Sequence, residues 1–165
     1  MEDLKFTIIT PSFNQGNFIE ANIRSIIKQD YKRVEYIIID GGSSDHTIEI
    51  IKKYQDEIDF WISEKDKGQS HALNKGLQKA TGDILIWINS DDALTEDALT
   101  KAANYFLNNP SVDVIHGHTV LFENSKEILR GADENFLPEQ YISGMAFPQP
   151  SAFIRRSAMQ KYYSA

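Results

Sequence analysis

Residues 34–45, VEYIIIDGGSSD, form the stretch that decides the fold. Val34 to Ile39 is a nearly continuous apolar run, which is typical of a parallel strand covered on both faces. The run ends at Asp40, and Gly41 to Asp45 then supplies turn glycines and the N-cap of a helix. A buried strand that passes through a glycine turn into a helix predicts a βα unit of a parallel sheet.

The same order of strand and helix occurs four times before Pro110. We expect the strands at Phe6 to Thr10 (stopping at Pro11), Val34 to Ile39, Phe60 to Ser63 and Asp83 to Ile88. Apolar residues at helical spacing predict the buried faces of four helices: Phe18, Ile19, Ile23, Ile26 and Ile27; Ile48, Ile51 and Tyr54; Ala72, Leu73, Gly76, Leu77 and Ala80; Ala98, Leu99, Ala102, Phe106 and Leu107, the last helix capped by Thr95. The fold class is therefore α/β, an open and mostly parallel sheet with helices on both faces.

Beyond Pro110 the pattern changes to shorter elements. We expect strands at Val112 to His116, Thr119 to Glu123 and Glu127 to Arg130, the last two joined as a hairpin. A loop from Ala132 to Gln140, a strand from Phe147 to Ile154 and a helix from Ser157 should follow. His116 and His118 share a strand face and could ligate zinc, but no third ligand is near in the sequence, so partly buried hydrogen-bonding histidines are preferred.

The composition limits the classes of function. The 165 residues carry 17 basic and 24 acidic side chains, a net charge of -7, which argues against nucleic-acid binding through phosphate neutralisation. Cysteine is absent, so disulfides and thiolate chemistry are excluded. The acidic start and the lack of an apolar run of about 20 residues predict a cytoplasmic protein without a transmembrane segment, able to work at the inner face of the membrane.

Polar residues gather where the predicted strands end. The four strand ends continue into Pro11 to Asn14, Asp40 to Asp45, Glu64 to Asp66, and Asn89 to Asp92. Ligands of open parallel sheets bind outside the carboxyl ends of the strands, so these groups predict one binding site. Each feature alone has a plainer interpretation, since Asp40 and the Asp91-Asp92 pair suit ordinary turns and most phenylalanines lie in cores.

Four ordered blocks carry a resemblance to a known family. TPSFNQGNFIEANIRSIIKQDY, IIIDGGSSDHT, SEKDKGQSHALNKGLQKATGD and WINSDD resemble successive blocks of the glycosyltransferase family 2 type, which has the GT-A nucleotide-sugar-binding fold. The likeness runs from Phe6 to Asp92 and continues more weakly through PQPSAFIRRSA. Four blocks in the right order are specific evidence for the family, whereas any single block would be weak evidence.

The resemblance implies a base-binding role for the first two blocks. Pro11 and Phe13 would line the base pocket, with the Phe13 ring stacked on a pyrimidine and Asn14 in the same nucleotide-binding block. Asp40 would accept a hydrogen bond from the base edge, with uracil N3–H as the expected donor, a contact that an acceptor-only carboxylate can make.

The last two blocks would hold the rest of the nucleotide. The resemblance implies that Asp66 completes the nucleotide pocket and that Gly68 allows close backbone approach. Asp91 would lie toward the ribose hydroxyls and Asp92 toward a Mg²⁺ or Mn²⁺ ion that bridges the diphosphate. Asn89 stands where many relatives have aspartate, which keeps an oxygen ligand but removes a charge.

The implied activity is a metal-dependent, inverting transfer of a sugar from a nucleoside diphosphate, expected to be UDP, to a glycan or lipid-linked acceptor. We expect one domain, with residues 1–110 as the nucleotide-binding part and residues 111–165 as the start of the acceptor part. In the family the general base lies downstream of the block that resembles PSAFIRRS, so we expect the base beyond Ala165 and a C-terminally incomplete domain.

Other functions stay open beside this one. The missing base leaves a non-catalytic nucleotide-sugar-binding or regulatory domain as the alternative. A two-metal nucleotidyltransferase using Asp91 and Asp92 ranks lower. A dinucleotide-dependent oxidoreductase would use Asp40 for the ribose, but Thr-Pro-Ser-Phe-Asn replaces its glycine-rich phosphate loop.

Overall fold

The computed structural model of the chain describes residues 3–123, 126–130 and 149–163. The strands in these residues are β1 (Phe6–Ser12), β2 (Val34–Asp40), β3 (Phe60–Ser63), β4 (Ile84–Trp87), β5 (Val114–His116), β6 (Thr119–Glu123), β7 (Lys126–Arg130) and β8 (Ala152–Arg155). The helices are α1 (Ile19–Ile27), α2 (Thr47–Lys53), α3 (Gln69–Lys79), α4 (Ala98–Asn108) and α5 (Arg156–Tyr163), with 3₁₀ turns at Gln55–Glu57 and Gln149–Ser151. None of the described helices is both long and apolar enough to cross a membrane.

Six strands form one mixed sheet in the order β3-β2-β1-β4-β8-β5. β1 pairs in parallel with β2 and β4, and β2 pairs in parallel with β3, whereas β8 runs antiparallel to β4 and β5. β6 and β7 form the predicted hairpin as a separate two-stranded sheet. The predicted α/β class with a mostly parallel sheet is confirmed.

The two faces of the sheet carry different helices. Ile8 and Ile38 point into the larger core, which includes buried residues of α1, α2 and α4. Ile9 and Ile37 point to the other face, where they pack with α3. A Cβ atom on Gly76 of α3 would lie 2.5 Å from Cγ2 of Ile9, so a glycine is required for α3 to approach the sheet this closely.

β1 extends further than the sequence predicts. The strand does not stop at Pro11 but includes it and ends at Ser12, which pairs with Asp40. The reason is that the ladder with β4 ends at Ile9, so beyond that residue β1 has a partner strand on the β2 side only. Proline lacks an N–H donor and is tolerated where one side of a strand is unpaired.

Two helix predictions need correction. In α1 the residues Phe18 and Ile27 are exposed, and Asn22 occupies the buried face instead. Thr95 does not begin α4, which starts at Ala98 without a side-chain cap of its own. A backbone N–H in the first turn of α4 instead donates to the side-chain oxygen of Gln29, which reaches across from the end of α1. A cap supplied from another element leaves no local sequence signal.

The bounds of several C-terminal elements differ from the prediction. β5 begins at Val114 rather than Val112, and β8 begins at Ala152 after a 3₁₀ turn. The helix predicted from Ser157 begins at Arg156, and the loop predicted from Ala132 to Gln140 lies outside the described residues.

The histidine prediction was wrong about burial. His116 is exposed because β5 is at the edge of the sheet and only its central residue, Ile115, turns toward the core. His118 is also exposed and lies beyond the end of β5, so the two histidines do not share a strand face as predicted. The described residues include no group of three or more His, Cys, Asp or Glu that could hold a metal ion, so the zinc alternative gains no support.

Candidate functional site

A cleft of about 740 Å³ lies at the carboxyl end of the parallel strands. It is bounded by the ends of β1 and β2, the loop after β3, the first turn of α3, and the loop after β4. The chain passes from β1 to β2 and β3 on one side of β1, and then returns to β4 on the other side. The cleft therefore lies at the switch point of the sheet, where ligands of such folds bind.

The loop after β1 presents Phe13 at the cleft. The Phe13 side chain is 59% exposed and lines the cleft together with Pro11, so it is not part of the core. Asn14 follows with a φ of 52°, a left-handed conformation that asparagine tolerates better than most residues. The backbone N–H of Asn14 donates to Ser43 Oγ at 2.7 Å, and its side-chain oxygen accepts the Ser44 N–H at 2.9 Å.

Further hydrogen bonds fix the same loop to the start of α2. The Gln15 N–H donates to Thr47 Oγ1 and the Gly16 N–H to a carboxylate oxygen of Asp45, both at 2.9 Å. The Thr47 side chain and the backbone N–H of Gly16, outweighing the effect of partial burial, lower the pKa of Asp45. The position of Phe13 therefore depends on the chain that follows β2.

Asp40 ends β2 with a carboxylate that is completely buried. Its Oδ2 accepts the N–H groups of Gly42 at 3.0 Å and Ser43 at 2.8 Å, and the hydroxyl of Ser63 at 2.6 Å. The Ser43 hydroxyl donates to Oδ1. Asp40 thus holds the glycine loop against the end of β3, and its carboxylate does not line the cleft.

The loop between β3 and α3 forms the opposite wall. Asp66 and Lys65 both line the cleft, and Asp66 Oδ1 accepts the Gly68 N–H at 2.8 Å. Gly68 has a φ of 103°, and a Cβ there would meet no atom within 4 Å, so the glycine serves the backbone conformation. Of the lysines near this loop, Lys75 is paired with Glu64 at 2.8 Å and is not part of the cleft lining.

Asn22 of α1 fixes the loop after β4 through hydrogen bonds to its backbone. The Asn22 amide, which is 1% exposed, donates to the backbone oxygens of Asn89 at 3.0 Å and Asp92 at 2.8 Å. Its oxygen accepts the Tyr36 hydroxyl at 2.8 Å. The Asp92 N–H also donates to the Asn89 oxygen at 2.9 Å, which closes the turn.

The two adjacent carboxylates of this loop have different surroundings. Asp91 is exposed and lines the cleft, whereas Asp92 is half-buried and does not. Burial, and then the negative charge of Asp91, raise the pKa of Asp92 above its ordinary value, against a smaller opposing hydrogen bond from Asn89. A bound cation would relieve this cost of the charged form.

The structure brings together most of the predicted site residues. Pro11, Phe13, Asp66, Gly68 and Asp91 line one cleft, with Asn89 and Ser90 at its β4 side. The cleft lining does not include Asp92, Asp40 or Asn14.

Sequence reasoning missed residues of this region. Lys65 lines the cleft, although no motif in the sequence distinguishes it from the neighbouring lysines. Asn22 was missed although a signal existed, since an amide within the apolar stripe of Ile19, Ile23 and Ile26 has to find partners when buried.

Comparison with known proteins assigns the family. The sequence model described as Glycosyl transferase family 2 matches residues 7–163, which is most of the chain. The chain belongs to glycosyl transferase family 2. This family 2 chain is 36% identical over 115 residues to an uncharacterized glycosyltransferase of Haemophilus influenzae, covering 68% of the chain and 46% of that protein.

Two further relatives have more specific names. One is the poly(ribitol-phosphate) beta-N-acetylglucosaminyltransferase TarS of Staphylococcus aureus, 26% identical over 141 residues, which cover 82% of this chain and 24% of TarS. The other is a putative teichuronic acid biosynthesis glycosyltransferase, TuaG, of Bacillus subtilis, 28% identical over 121 residues, which cover 72% of this chain and 48% of TuaG. The family 2 chain thus spans half or less of the length of these relatives.

Solved structures share the fold. Staphylococcus aureus TarS in complex with UDP-GlcNAc matches with a TM-score of 0.79 at 22% identity, over 97% of this chain and 48% of that one. The mannosyltransferase PcManGT of Pyrobaculum calidifontis in complex with GDP-Man and Mn²⁺ matches with a TM-score of 0.74 at 20% identity, over 98% of this chain and 47% of that one. The family 2 chain therefore has the fold of these glycosyltransferases.

Proposed function

We propose that the protein transfers a sugar from a nucleoside diphosphate donor, most directly a UDP-sugar, to a hydroxyl group of a glycan or lipid-linked acceptor, with a divalent cation. The observation that carries the proposal is the cleft at the switch point, where an exposed aromatic ring, a helix N-terminus and an acidic loop surround one space in a chain of family 2. The relatives complexed with UDP-GlcNAc and GDP-Man support a nucleotide-sugar donor.

The nucleotide base belongs at the β1 side of the cleft. The flat apolar face of the Phe13 ring is exposed to solvent, and Pro11 adds a second apolar surface to the cleft. Stacking a base on this ring would remove exposed apolar area from water.

The diphosphate belongs between the start of α3 and the loop after β4. Gly68 and Gln69 place the N-terminal end of α3 at the cleft, and the backbone N–H groups of a first helical turn favour an anion. Lys65 adds a positive charge on the same side. A chain with a net charge of -7 thus has local groups that can bind a diphosphate.

The residues of the β4 loop suit a hard divalent cation. Mg²⁺ and Mn²⁺ take oxygen ligands, and Mg²⁺ in phosphate-binding sites is commonly held by one or two carboxylates, substrate phosphates and water. Following the resemblance, we assign the ion to Asp92, which is half-buried beside the cleft and has a pKa raised by burial and by Asp91. We assign the ribose hydroxyls to Asp91, which lines the cleft. When bound, the cation would stabilise the negative charge that develops on the leaving diphosphate.

The acceptor half of the reaction stays a prediction of the resemblance. An inverting transfer forms the bond from the acceptor oxygen to the anomeric carbon, breaks the bond from that carbon to the diphosphate, and passes the acceptor proton to a carboxylate base. We assign this base to none of the described residues. A cytoplasmic location at a membrane surface is likewise a prediction from the sequence.

Titration calorimetry with UDP, in the presence and absence of Mn²⁺, tests the proposal. We expect tighter binding with Mn²⁺, and we expect Asp92→Asn to lose most of that gain while keeping the metal-independent binding. Asp97→Asn is the matched control, because it removes the same charge five residues away, outside the cleft lining and from a pair with Lys101. If wild type binds neither UDP, GDP nor dTDP with Mn²⁺ present, the proposal is wrong.

Product analysis separates transfer from the lower-ranked nucleotidyl transfer. A sugar transferase acting on a UDP-sugar releases UDP, whereas a nucleotidyltransferase given a nucleoside triphosphate and a sugar 1-phosphate forms the nucleotide sugar and releases pyrophosphate. Release of pyrophosphate would contradict the proposal even if the nucleotide bound as expected.

A further inference from the structure

We infer that Asn89 is a positioning residue and not a ligand of the cation, because its carboxamide belongs to a chain of side-chain amides that joins α3, the acidic loop after β4 and the 3₁₀ turn before β8. The inference rests on the proposed function, because it concerns how the cleft would hold a nucleotide together with its cation. It replaces the expectation that Asn89 supplies an oxygen ligand where many relatives have aspartate.

This amide chain consists of Gln69, Asn89 and Gln149, and it ends at the backbone of β4. Gln69 Nε2 donates to Asn89 Oδ1 at 2.6 Å, and Asn89 Nδ2 donates to Gln149 Oε1 at 3.2 Å. Gln149 Nε2 then donates to the backbone oxygen of Trp87 at 2.7 Å. Each amide nitrogen thus donates to the next oxygen, so all the hydrogen bonds of the amide chain run in the same direction.

The backbone carbonyl of Trp87 fixes this direction. A carbonyl group can only accept a hydrogen bond, so Gln149 has to present its NH₂ group there, and its side-chain oxygen then faces Asn89. That oxygen is matched by the NH₂ group of Asn89, and the Asn89 oxygen is left to accept from Gln69. The orientation of the Asn89 amide therefore follows from a backbone group of the strand before it.

This orientation directs the nitrogen of Asn89, and not its oxygen, toward the acid that is assigned to the cation. The Asn89 side chain is a donor to the carboxylate of Asp92, a role that only its NH₂ group can have. If the amide turned over to offer its oxygen to a cation beside Asp92, that oxygen would meet Oε1 of Gln149, and the Asn89 nitrogen would meet Nε2 of Gln69. Two hydrogen bonds would then be replaced by two contacts between like groups.

The amide chain connects the two sides of the cleft between which we place the diphosphate. Gln69 is the first residue of α3 and lines the cleft, and Asn89 lies in the loop that carries the acids. A diphosphate that contacts the helix N-terminus and a cation at the same time requires these two groups at a fixed separation. Gln149 is half-buried and is not part of the cleft lining, so we expect it to act on a bound nucleotide through Asn89.

Gln149→Met tests the amide chain at the end that lies away from the cleft. Calorimetry gives the affinity for UDP with and without Mn²⁺, and the ratio of the two affinities is the gain from the cation. Methionine has a similar length but neither donates to Trp87 nor offers an oxygen to Asn89, so this gain should fall about 2- to 10-fold, the usual effect of losing a hydrogen bond. Binding of UDP without Mn²⁺ should stay nearly unchanged.

Asn89→Asp separates a positioning residue from a ligand. A carboxylate is a stronger ligand of Mn²⁺ than a carboxamide, so an Asn89 that bound the cation would give an aspartate variant with a larger gain. For a positioning residue the gain should instead fall, because aspartate cannot donate to Gln149 and places a like charge beside Asp92. Adding Gln149→Met to this variant should cause no further loss, since the link between the two side chains is already broken.

Arg155→Met is the matched control in the same segment of the chain. It removes hydrogen bonds to the backbone of Val112 and Phe106 at the end of β8 that lies beside the start of β4, so it should lower the melting temperature and keep the wild-type gain from Mn²⁺. A larger gain in Asn89→Asp, an unchanged gain in Gln149→Met, additive losses in the double variant, or an equal loss of gain in Arg155→Met would each overturn the inference and leave the proposed function in place. Failure of wild type to bind UDP, or binding without any gain from Mn²⁺, would instead remove the proposed function or its cation, and the inference with it.

Discussion

Among the residues that the structure describes, Phe13 combines a high exposure with a place in the cleft lining. Its ring is 59% exposed in a cleft, an arrangement that loses apolar burial unless something covers the ring. We expect Phe13→Ala to weaken UDP binding about 5- to 150-fold, because stacking a base on an aromatic ring contributes about 1–3 kcal/mol. Calorimetry at fixed Mn²⁺ concentration measures the loss.

Phe18→Ala is the control for this substitution. Phe18 is 53% exposed, so its replacement removes a similar apolar area, but it lies outside the cleft lining. UDP affinity should stay within about 2-fold of wild type, as for surface substitutions without a specific contact. An equal loss of affinity in both variants would mean that Phe13 acts on general stability and not on the base.

Residue types at the strand ends could be predicted from the sequence, but their contacts could not. The ends of parallel strands share an edge, so placing Phe13, Asp66 and Asp91 in one cleft needed only the order of strands and helices. The partner of a carboxylate depends on the path of its loop, which the sequence does not specify. Asp40 turns inward to Ser63 for that reason, and Asn14 binds a neighbouring backbone instead of lining the cleft.

At the scale of secondary structure elements, α1 supports the acidic loop through a polar stripe. Asn22 and Ser25 of α1, and Gln29 just after its end, contact the chain from Asn89 to Leu99. Ser25 Oγ accepts the Leu94 N–H at 3.1 Å, and the Gln29 side chain donates to the Thr95 oxygen at 2.8 Å. Side chains at and just after α1 thus fix the loop that carries Asp91 and Asp92.

We expect Asn22→Ala to weaken Mn²⁺-dependent UDP binding about 10-fold and to leave metal-independent binding nearly unchanged. The variant removes the two hydrogen bonds that hold the backbone of Asn89 and Asp92, each contributing roughly 0.5–1.5 kcal/mol. The positions of the carboxylates then become less well defined, which affects cation binding first. Calorimetry with and without Mn²⁺ measures both quantities.

Tyr36→Phe separates this positioning role from a loss of stability. Its hydroxyl donates to the oxygen of Asn22 but does not touch the loop, so the variant should lower the melting temperature while keeping the ratio of affinities with and without Mn²⁺. A variant of Asn22 that melts earlier but keeps this ratio would show that the residue supports the fold alone.

Element types were largely predictable because the βα units repeat, whereas element ends were not. β1 continues through Pro11 because its ladder with β4 already ends at Ile9. α4 begins at Ala98 and not at Thr95, because Gln29 supplies its cap. Both features depend on a distant partner. The antiparallel position of β8 between β4 and β5 has the same origin, since pairing across the sheet leaves no local pattern.

At the scale of the whole molecule, the two ends of the parallel strands have different roles. The cleft lies at the carboxyl ends, and at the opposite ends Glu35, near the start of β2, connects neighbouring elements. Glu35 accepts the Thr7 hydroxyl at 2.6 Å, the Thr81 N–H at 2.8 Å and the Lys5 ammonium at 3.0 Å. These contacts connect β1, β2 and the turn before β4 without touching the cleft.

The Glu35 contacts predict how stability depends on pH. Burial alone would raise the pKa of Glu35, but hydrogen bonds from Thr7, Thr81 and Lys5 outweigh it and lower the pKa from 4.5 to about 2. The ionised form is therefore favoured in the folded state, so its contribution is complete above pH 4.5 and is lost as the pH falls toward 2. A shift of this size corresponds to roughly 3 kcal/mol of unfolding free energy.

Glu35→Gln should lower the free energy of unfolding by up to about 3 kcal/mol at pH 7. The difference from wild type should shrink as the pH falls from 4.5 toward 2, because wild type then loses the ionised carboxylate that the variant never has. Urea unfolding between pH 3 and 7 measures this difference, and UDP affinity at pH 7 should stay unchanged because Glu35 lies at the edge opposite the cleft. A difference that stays constant over the whole pH range would instead place the stabilising effect of Glu35 in its packing and not in its charge.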